Sequence, residues 1–273
     1  MKNLIIRTLA GAVFASLIIG SILYHPIAVF IVFFAFNAIA LFEYTRMFKK
    51  QGSPIQTSSV IFMGSLIYLL IGSYANGWIE VKMLYAIIPL TFIFFISSLF
   101  QRTESPFEDL GIKVLSLIYI AIPFGLFNIV ANMGMIGENQ TEPLLLISFF
   151  VLVWSSDTFA YLSGISFGNH RLFERISPKK SWEGSIGGAI ATMIIAWFIG
   201  YYSGIFTPWI WVIIALFIVI TATLGDLVES MLKRQTKVKD SGNIMPGHGG
   251  ILDRFDAAIF SIPFYVFLLY LLA

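Results

Sequence analysis

Nine runs of mostly apolar residues divide this chain, at roughly 8–24, 27–44, 59–77, 83–100, 111–132, 144–168, 184–204, 208–230 and 255–272. Runs of about 20 apolar residues match the hydrocarbon thickness of a bilayer when helical. Lipid offers no partner to an unpaired backbone N–H or C=O, so such runs must cross it as helices that satisfy their own hydrogen bonds. The expected fold is therefore all-α, a polytopic membrane protein of about nine transmembrane helices. Composition agrees: 58% of the residues are hydrophobic and 12% charged, with a mean hydropathy of +0.87, which leaves too little polar surface for a soluble domain. The first run follows Lys2 and Arg7 in the manner of a secretory signal, but no soluble remainder follows it, and it reads as the first span. The chain has no cysteine, which excludes disulfides, thiolate metal sites and cysteine nucleophiles.

Orientation follows from the basic residues, which accumulate on the cytoplasmic side of membrane proteins. With the N-terminus in the cytoplasm, sixteen of the seventeen lysines and arginines fall inside and only Lys82 falls outside. A different number of spans would scatter them, so the tally supports a cytoplasmic N-terminus and a C-terminus outside. Bacterial inner-membrane placement, with the chemistry facing the cytoplasm, is the corresponding expectation.

Two inner loops carry most of the polar residues: "GNHRLFERISPKKSWEG" from Gly168 and "KDSGNIMPGHGGILDRFD" from Lys239. Residues 1–143 are accordingly expected to be N-terminal transmembrane helices, and 144–273 a transmembrane region that bears both loops and most of the polar chemistry. A carboxylate at membrane depth costs at least ~2.5 kcal/mol and persists where it has a partner or a task. Asp157 lies inside the sixth run, Asp226 and Glu229 share a face of the eighth, and Asp253 and Asp256 repeat that spacing at the start of the ninth. These acids can pair with neighbouring lysines and arginines. Gathered at one leaflet, however, they repel one another unless a cation lies among them, and hard oxygen ligands suit Mg²⁺.

The basic clusters supply the complementary charge. Lys49 and Lys50 suit anionic lipid headgroups. Lys233, Arg234, Lys237, Lys239 and Arg254, with Lys179 and Lys180 in the other loop, are interleaved with acids and glycines. Gly247, Gly249 and Gly250 around His248 permit positive backbone angles and close approach of amides to an anion. Beside lysines and carboxylates, that pattern suggests a cradle for phosphate.

The run "SMLKRQTKVKDSGNIMPGHGGILDRFD" resembles the signature of the phosphatidate cytidylyltransferases, also called CDP-diacylglycerol synthases. The matching positions are Ser230, Lys233, Arg234, Lys239, Asp240, Gly242, His248, Gly249, Gly250, Asp253, Arg254 and Asp256. Met245 stands where leucine, isoleucine or phenylalanine is expected. Span six and its loop, "SSDTFAYLSGISFGNHRLFERISPKKSWEG", are also similar to the family; before about residue 150 the likeness is mainly shared hydrophobicity.

This resemblance implies a reaction of CTP with phosphatidate that yields CDP-diacylglycerol and pyrophosphate, assisted by Mg²⁺, with room for a second ion such as K⁺. It implies Asp226 and Asp253 as metal ligands from different spans, with Asp256 and Glu229 as further ligands or as partners of Arg254 and Lys233. Asp226, Asp253, Lys233 and Lys239 are the expected catalytic set. Lys179, Lys180, Ser181, Ser230, Arg234, Asp240, His248, Gly249, Gly250 and Arg254 would bind substrate, although Asp240 can instead be a salt-bridge partner of Lys239. Partners are then CTP, phosphatidate and membrane lipids, with no nucleic acid. Small residues in "GSIGGAIA" suit close helix contact, including the interface of a homodimer. Two other functions fit parts of the pattern. A CTP-dependent polyprenol or lipid kinase shares the nucleotide. A cation-coupled transporter shares the acids, but needs a path across the bilayer that the one-sided charges do not provide.

Overall fold

The computed structural model describes residues 2–49, 51–52, 55–101, 103–133, 142–245 and 249–272, with the side chains of 2–7 and 142 outside the description. It is built of helices. They are α1 (Lys2–Tyr24), α2 (Pro26–Lys49), α3 (Thr57–Ala75), α4 (Ile87–Leu99, entered by a 3-10 turn), α5 (Pro106–Ser116), α6 (Ile122–Asn132), α7 (Glu142–Phe167), α8 (Trp182–Ser203), α9 (Pro208–Gln235) and α10 (Leu252–Leu272). Among the described residues, eight rods are long and apolar enough to cross a membrane, and the apolar part of α1, Thr8–Tyr24, makes a shorter ninth.

Several boundaries follow from local chemistry. Proline opens α2, α5 and α9, where its missing N–H is not needed and its fixed φ already suits a helix. Gly204 ends α8 with φ +66°, the left-handed cap that glycine adopts without steric cost. α5 runs on into α6 through a π-turn at Leu117–Ala121, just before Pro123. The proline cannot donate to the carbonyl one turn earlier, so the ladder loosens there instead of breaking.

The chain divides into two compact units. The first comprises Met1–Met133 and Gln235–Phe255. Its centre is aromatic: Phe255, at the start of α10, lies 5.5 Å from Phe14, 5.9 Å from Phe33, 5.3 Å from Phe36 and 5.0 Å from Phe124, ring centre to ring centre. The rings are tilted or edge-on, the arrangements their quadrupoles favour. Gly72 admits the Phe30 ring, and Gly125 admits Ile71, so α2, α3 and α6 approach closely. Tyr68 ties these helices by donating to the Phe30 carbonyl at 2.7 Å and accepting from Asn128 at 2.9 Å.

The second unit comprises Gly134–Arg234 and Asp256–Ala273. α7 and α8 pack along a seam of small residues. A Cβ on Gly184 would stand 2.8 Å from the Ala160 carbonyl, one on Gly188 would stand 3.0 Å from that of Ser156, and one on Gly187 would strike Ser163. The small residues of "GSIGGAIA" thus make their close helix contact with α7 of the same chain. α10 is fastened to α9 by Thr221 and Ser261, 3.0 Å apart, and to α7 by Tyr265, which donates to the Leu145 carbonyl at 2.9 Å. Between α7 and α8 lies a two-stranded antiparallel hairpin, β1 (Arg171–Phe173) and β2 (Ser177–Ser181).

Candidate active site

In the second unit, α7, the hairpin, α8 and α9 surround a cavity of about 570 Å³, within the usual size of small-molecule pockets. Its wall combines Asp157, Tyr161 and Ile165 of α7 with Arg171, Lys179 and Lys180 of the hairpin, Ser181 at the head of α8, and Thr223 and Asp226 of α9. The hairpin holds its shape through Glu183, whose carboxylate accepts the N–H groups of Asn169 and His170 at 3.1–3.2 Å and meets the His170 ring at 2.6 Å. Ser181 is the N-cap of α8, its hydroxyl accepting the Gly184 N–H at 3.2 Å, so one free donor of the first turn is satisfied.

Lys180 reaches across to Asp226, Nζ to Oδ2 2.6 Å, and Ser230, one turn further along α9, donates to Oδ1 at 3.2 Å. Asp226 is set against α10 by the residue before it. A Cβ on Gly225 would lie 2.8 Å from the Asp256 carbonyl and 2.6 Å from Phe260 Cβ, so only glycine permits this approach. Asp256 lies within electrostatic reach of Asp226, Asp157 and Lys233, and its Oδ1 accepts the Ala257 N–H at 2.7 Å. Glu229 is fully buried and paired with Lys233 on the next turn.

In the first unit, the polar loop before α10 is organised around two carboxylates. Asp253 Oδ2 accepts three hydrogen bonds of 2.8 Å, from the Ser241 N–H, the Ser241 hydroxyl and the Gly250 N–H. Glu43, from α2, accepts the N–H groups of Ile251 at 3.1 Å and Leu252 at 2.9 Å, and stands 3.2 Å from the Ser241 hydroxyl. Gly249 has φ +83°, and its carbonyl accepts the Met245 N–H at 3.0 Å, which closes the base of the turn. Its tip, including Gly247 and His248, lies outside the described residues.

The sequence profile of the cytidylyltransferase family matches residues 5–272. The chain belongs to this family. It is similar to the phosphatidate cytidylyltransferase of Bacillus subtilis (strain 168), with 34% identity over 273 residues and 96% of each chain covered. The phosphatidate cytidylyltransferase of Staphylococcus aureus (strain COL) is 35% identical over 221 residues, covering 80% of each chain. That of Staphylococcus epidermidis (strain RP62A) is 33% identical over 263 residues, covering 94% of this chain and 96% of its own. The family match therefore reaches well before residue 150, where the motifs alone had placed only shared hydrophobicity.

In this member of the family, Asp226, Ser230, Lys179, Lys180 and Ser181 come together around the cavity, with Asp256 beside Asp226. Glu229, Lys233 and Arg234 lie on the same helix of the second unit, the first two as an ion pair and Arg234 exposed. Lys239, Asp240, Gly249, Gly250, Asp253 and Arg254 belong to the first unit. Lys239 and Asp240 are exposed, and no ion pair joins them among the described residues. The Gly250 amide, suggested by the sequence as a phosphate donor, is engaged by Asp253.

Two residues went unnoticed in the sequence. Arg171, in the cavity wall, is one of several basic residues in its loop and carries no distinguishing mark. Glu43 did carry one, an acid inside an apolar run in "LFEYTR", the same criterion that singled out Asp157.

Among the described residues no three acidic or histidine side chains converge tightly enough to ligate one ion. Mg²⁺ commonly binds through one or two carboxylates together with substrate phosphates and water. Asp256, with Asp226 and Asp157 from two other helices within reach of its charge, supplies hard oxygen donors that fit that mode of binding.

Proposed function

We infer that the chain is a phosphatidate cytidylyltransferase, converting CTP and phosphatidate to CDP-diacylglycerol and pyrophosphate. The observation that carries the site assignment is the cavity of the second unit. One side is basic, with Arg171, Lys179 and Lys180; the other presents Tyr161 and Ile165 of α7, both more than half exposed. That combination suits a phospholipid whose phosphate needs cations and whose tails need an apolar flank.

The phosphatidate phosphate is already largely ionised near neutral pH, so one of its oxygens attacks the α-phosphorus of CTP without a dedicated base. A new P–O bond forms, the bond from the α-phosphorus to the bridging oxygen breaks, and pyrophosphate leaves with the electron pair. The main obstacle is mutual repulsion of two polyanions, and catalysis consists of screening it and holding the attacking oxygen in line. Lys180, with Lys179 and Arg171, neutralises and orients the lipid phosphate. Asp226 fixes the Lys180 ammonium, and Ser230 fixes Asp226. Asp226 and Asp256, with Asp157 nearby, would hold Mg²⁺, which would supply positive charge to the phosphates. In the first unit, Lys239 and Arg254 are assigned to the nucleotide phosphates, with Asp253 bracing the loop before α10. Lys233 and Arg234 add positive charge at the end of α9.

The distribution of basic residues supports a cytoplasmic N-terminus, an external C-terminus and chemistry at the inner face of a bacterial cell membrane, where CTP is available. The decisive assay uses purified protein, labelled CTP and phosphatidate, with and without Mg²⁺. The expected products are a CDP-lipid and pyrophosphate. CDP and a phosphorylated alcohol, from a polyprenol acceptor, would identify a kinase instead.

A further inference from the structure

We infer that Glu43, far from both polar loops in sequence, is a positioning residue of the transfer reaction, its buried carboxylate fixing Ser241 and the N-terminal end of α10, Ile251 and Leu252. The inference rests on the reading that this loop handles the nucleotide.

Glu43 is 1% exposed. Its oxygens accept the N–H groups of Ile251, the residue before α10, and Leu252, its first residue, at 3.1 and 2.9 Å, where no earlier carbonyl of the helix can take them. A negative charge there is favoured by the helix dipole, and its hydrogen bonds are charge-assisted. The Ser241 hydroxyl, 3.2 Å from Glu43 and 2.8 Å from Asp253, links the two acids. Glu43 and Asp253 thus hold the loop at both of its ends.

The same carboxylate explains two glycines. A Cβ on Gly242 or on Gly250 would collide with the Glu43 carboxylate, and neither residue has a positive φ. Their requirement is space for Glu43. At Gly242 the three heavy atoms nearest to an added Cβ all belong to Glu43, so the two positions should be coupled. Glutamine has the shape of glutamate but only one acceptor oxygen, and its NH₂ would face a backbone N–H. The charge and both oxygens are needed.

The test is steady-state kinetics of the full-length protein in detergent, varying CTP and phosphatidate separately. Glu43→Gln should raise KM for CTP roughly tenfold, the equivalent of one lost charge-assisted hydrogen bond, and leave KM for phosphatidate nearly unchanged. Gly242→Ala should do the same. Combining Gly242→Ala with Glu43→Asp, which withdraws the carboxylate by one methylene, should recover CTP affinity beyond the sum of the single effects. An unchanged CTP KM in Glu43→Gln, or purely additive losses in the double variant, would overturn the inference. A lower KM would overturn it too, since the carboxylate would then be competing with the nucleotide. Should Glu43→Gln fail to fold, the Glu43→Asp and Gly242→Ala cycle decides alone. If the unaltered protein makes no CDP-lipid, the proposed function fails; stabilisation against heat by CTP then reads the loop directly and should weaken in the same pattern.

Discussion

Replacing Asp226 with asparagine separates a catalytic carboxylate from a structural one. In the structure Asp226 makes a 2.6 Å ion pair with Lys180, the two side chains being 31% and 26% exposed. Two unit charges 4 Å apart attract by about 4 kcal/mol at the effective dielectric of a protein surface. Desolvation and loss of side-chain freedom offset most of that. For a pair still reached by water, a net contribution of about 1–2 kcal/mol remains, between the values for exposed and buried pairs. Asp226→Asn should therefore lower the melting temperature by only a few degrees. Turnover should fall much further, by about 10²–10³-fold, as when one preorganised electrostatic group is removed from a reacting centre. The Mg²⁺ concentration for half-maximal rate should also rise. Lys180→Gln breaks the same pair from the other side and should raise KM for phosphatidate without moving the Mg²⁺ midpoint. Labelled-CTP turnover across a magnesium titration, together with thermal melts of both variants, checks this. Wild-type turnover in Asp226→Asn at every Mg²⁺ concentration would refute the reasoning. Identical modest losses in the two variants would reduce the pair to a structural bridge.

Three more outcomes are expected. Gly225→Ala puts a methyl 2.6 Å from Phe260 Cβ and 2.8 Å from the Asp256 carbonyl; forcing α9 from α10 should cost about 1–3 kcal/mol, measured as a lower melting temperature, and an unshifted melt would show that the helices part freely. Ser181→Ala removes the N-cap of α8 and should cost about 1 kcal/mol, visible by the same measurement. Because the chain has no cysteine, Lys82→Cys and Glu174→Cys can report sidedness: in sealed right-side-out vesicles an impermeant thiol reagent should label position 82 and spare 174, while the reverse pattern would invert the proposed orientation.

The apolar runs and the helices coincide closely because helix formation in lipid is decided locally. A segment with no outside partner for its backbone must close its own hydrogen bonds, and twenty apolar residues announce that wherever they occur. The motif from Ser230 to Asp256 was equally legible, since it lies within one stretch of chain, and it pointed to the family that the whole-chain comparison shows. Other features depend on pairings between distant residues. Whether "GSIGGAIA" meets another subunit or α7 depends on where α7 lies, and the sequence of α8 is the same in both cases. Asp226 as a partner of Lys180, and Asp253 as the acceptor of three loop donors, could not be told from free carboxylates. Glu43 is the clearest instance. As a lone acid in an apolar run it announced a need for partners, but those partners are N–H groups more than 200 residues away. Composition and the apolar runs thus determined that this chain lies in a membrane, and one local motif determined which family it resembles. Only the packing of the helices decided which buried charges meet, because a charge in a run of lipid-soluble residues specifies that it must be compensated and leaves open by what.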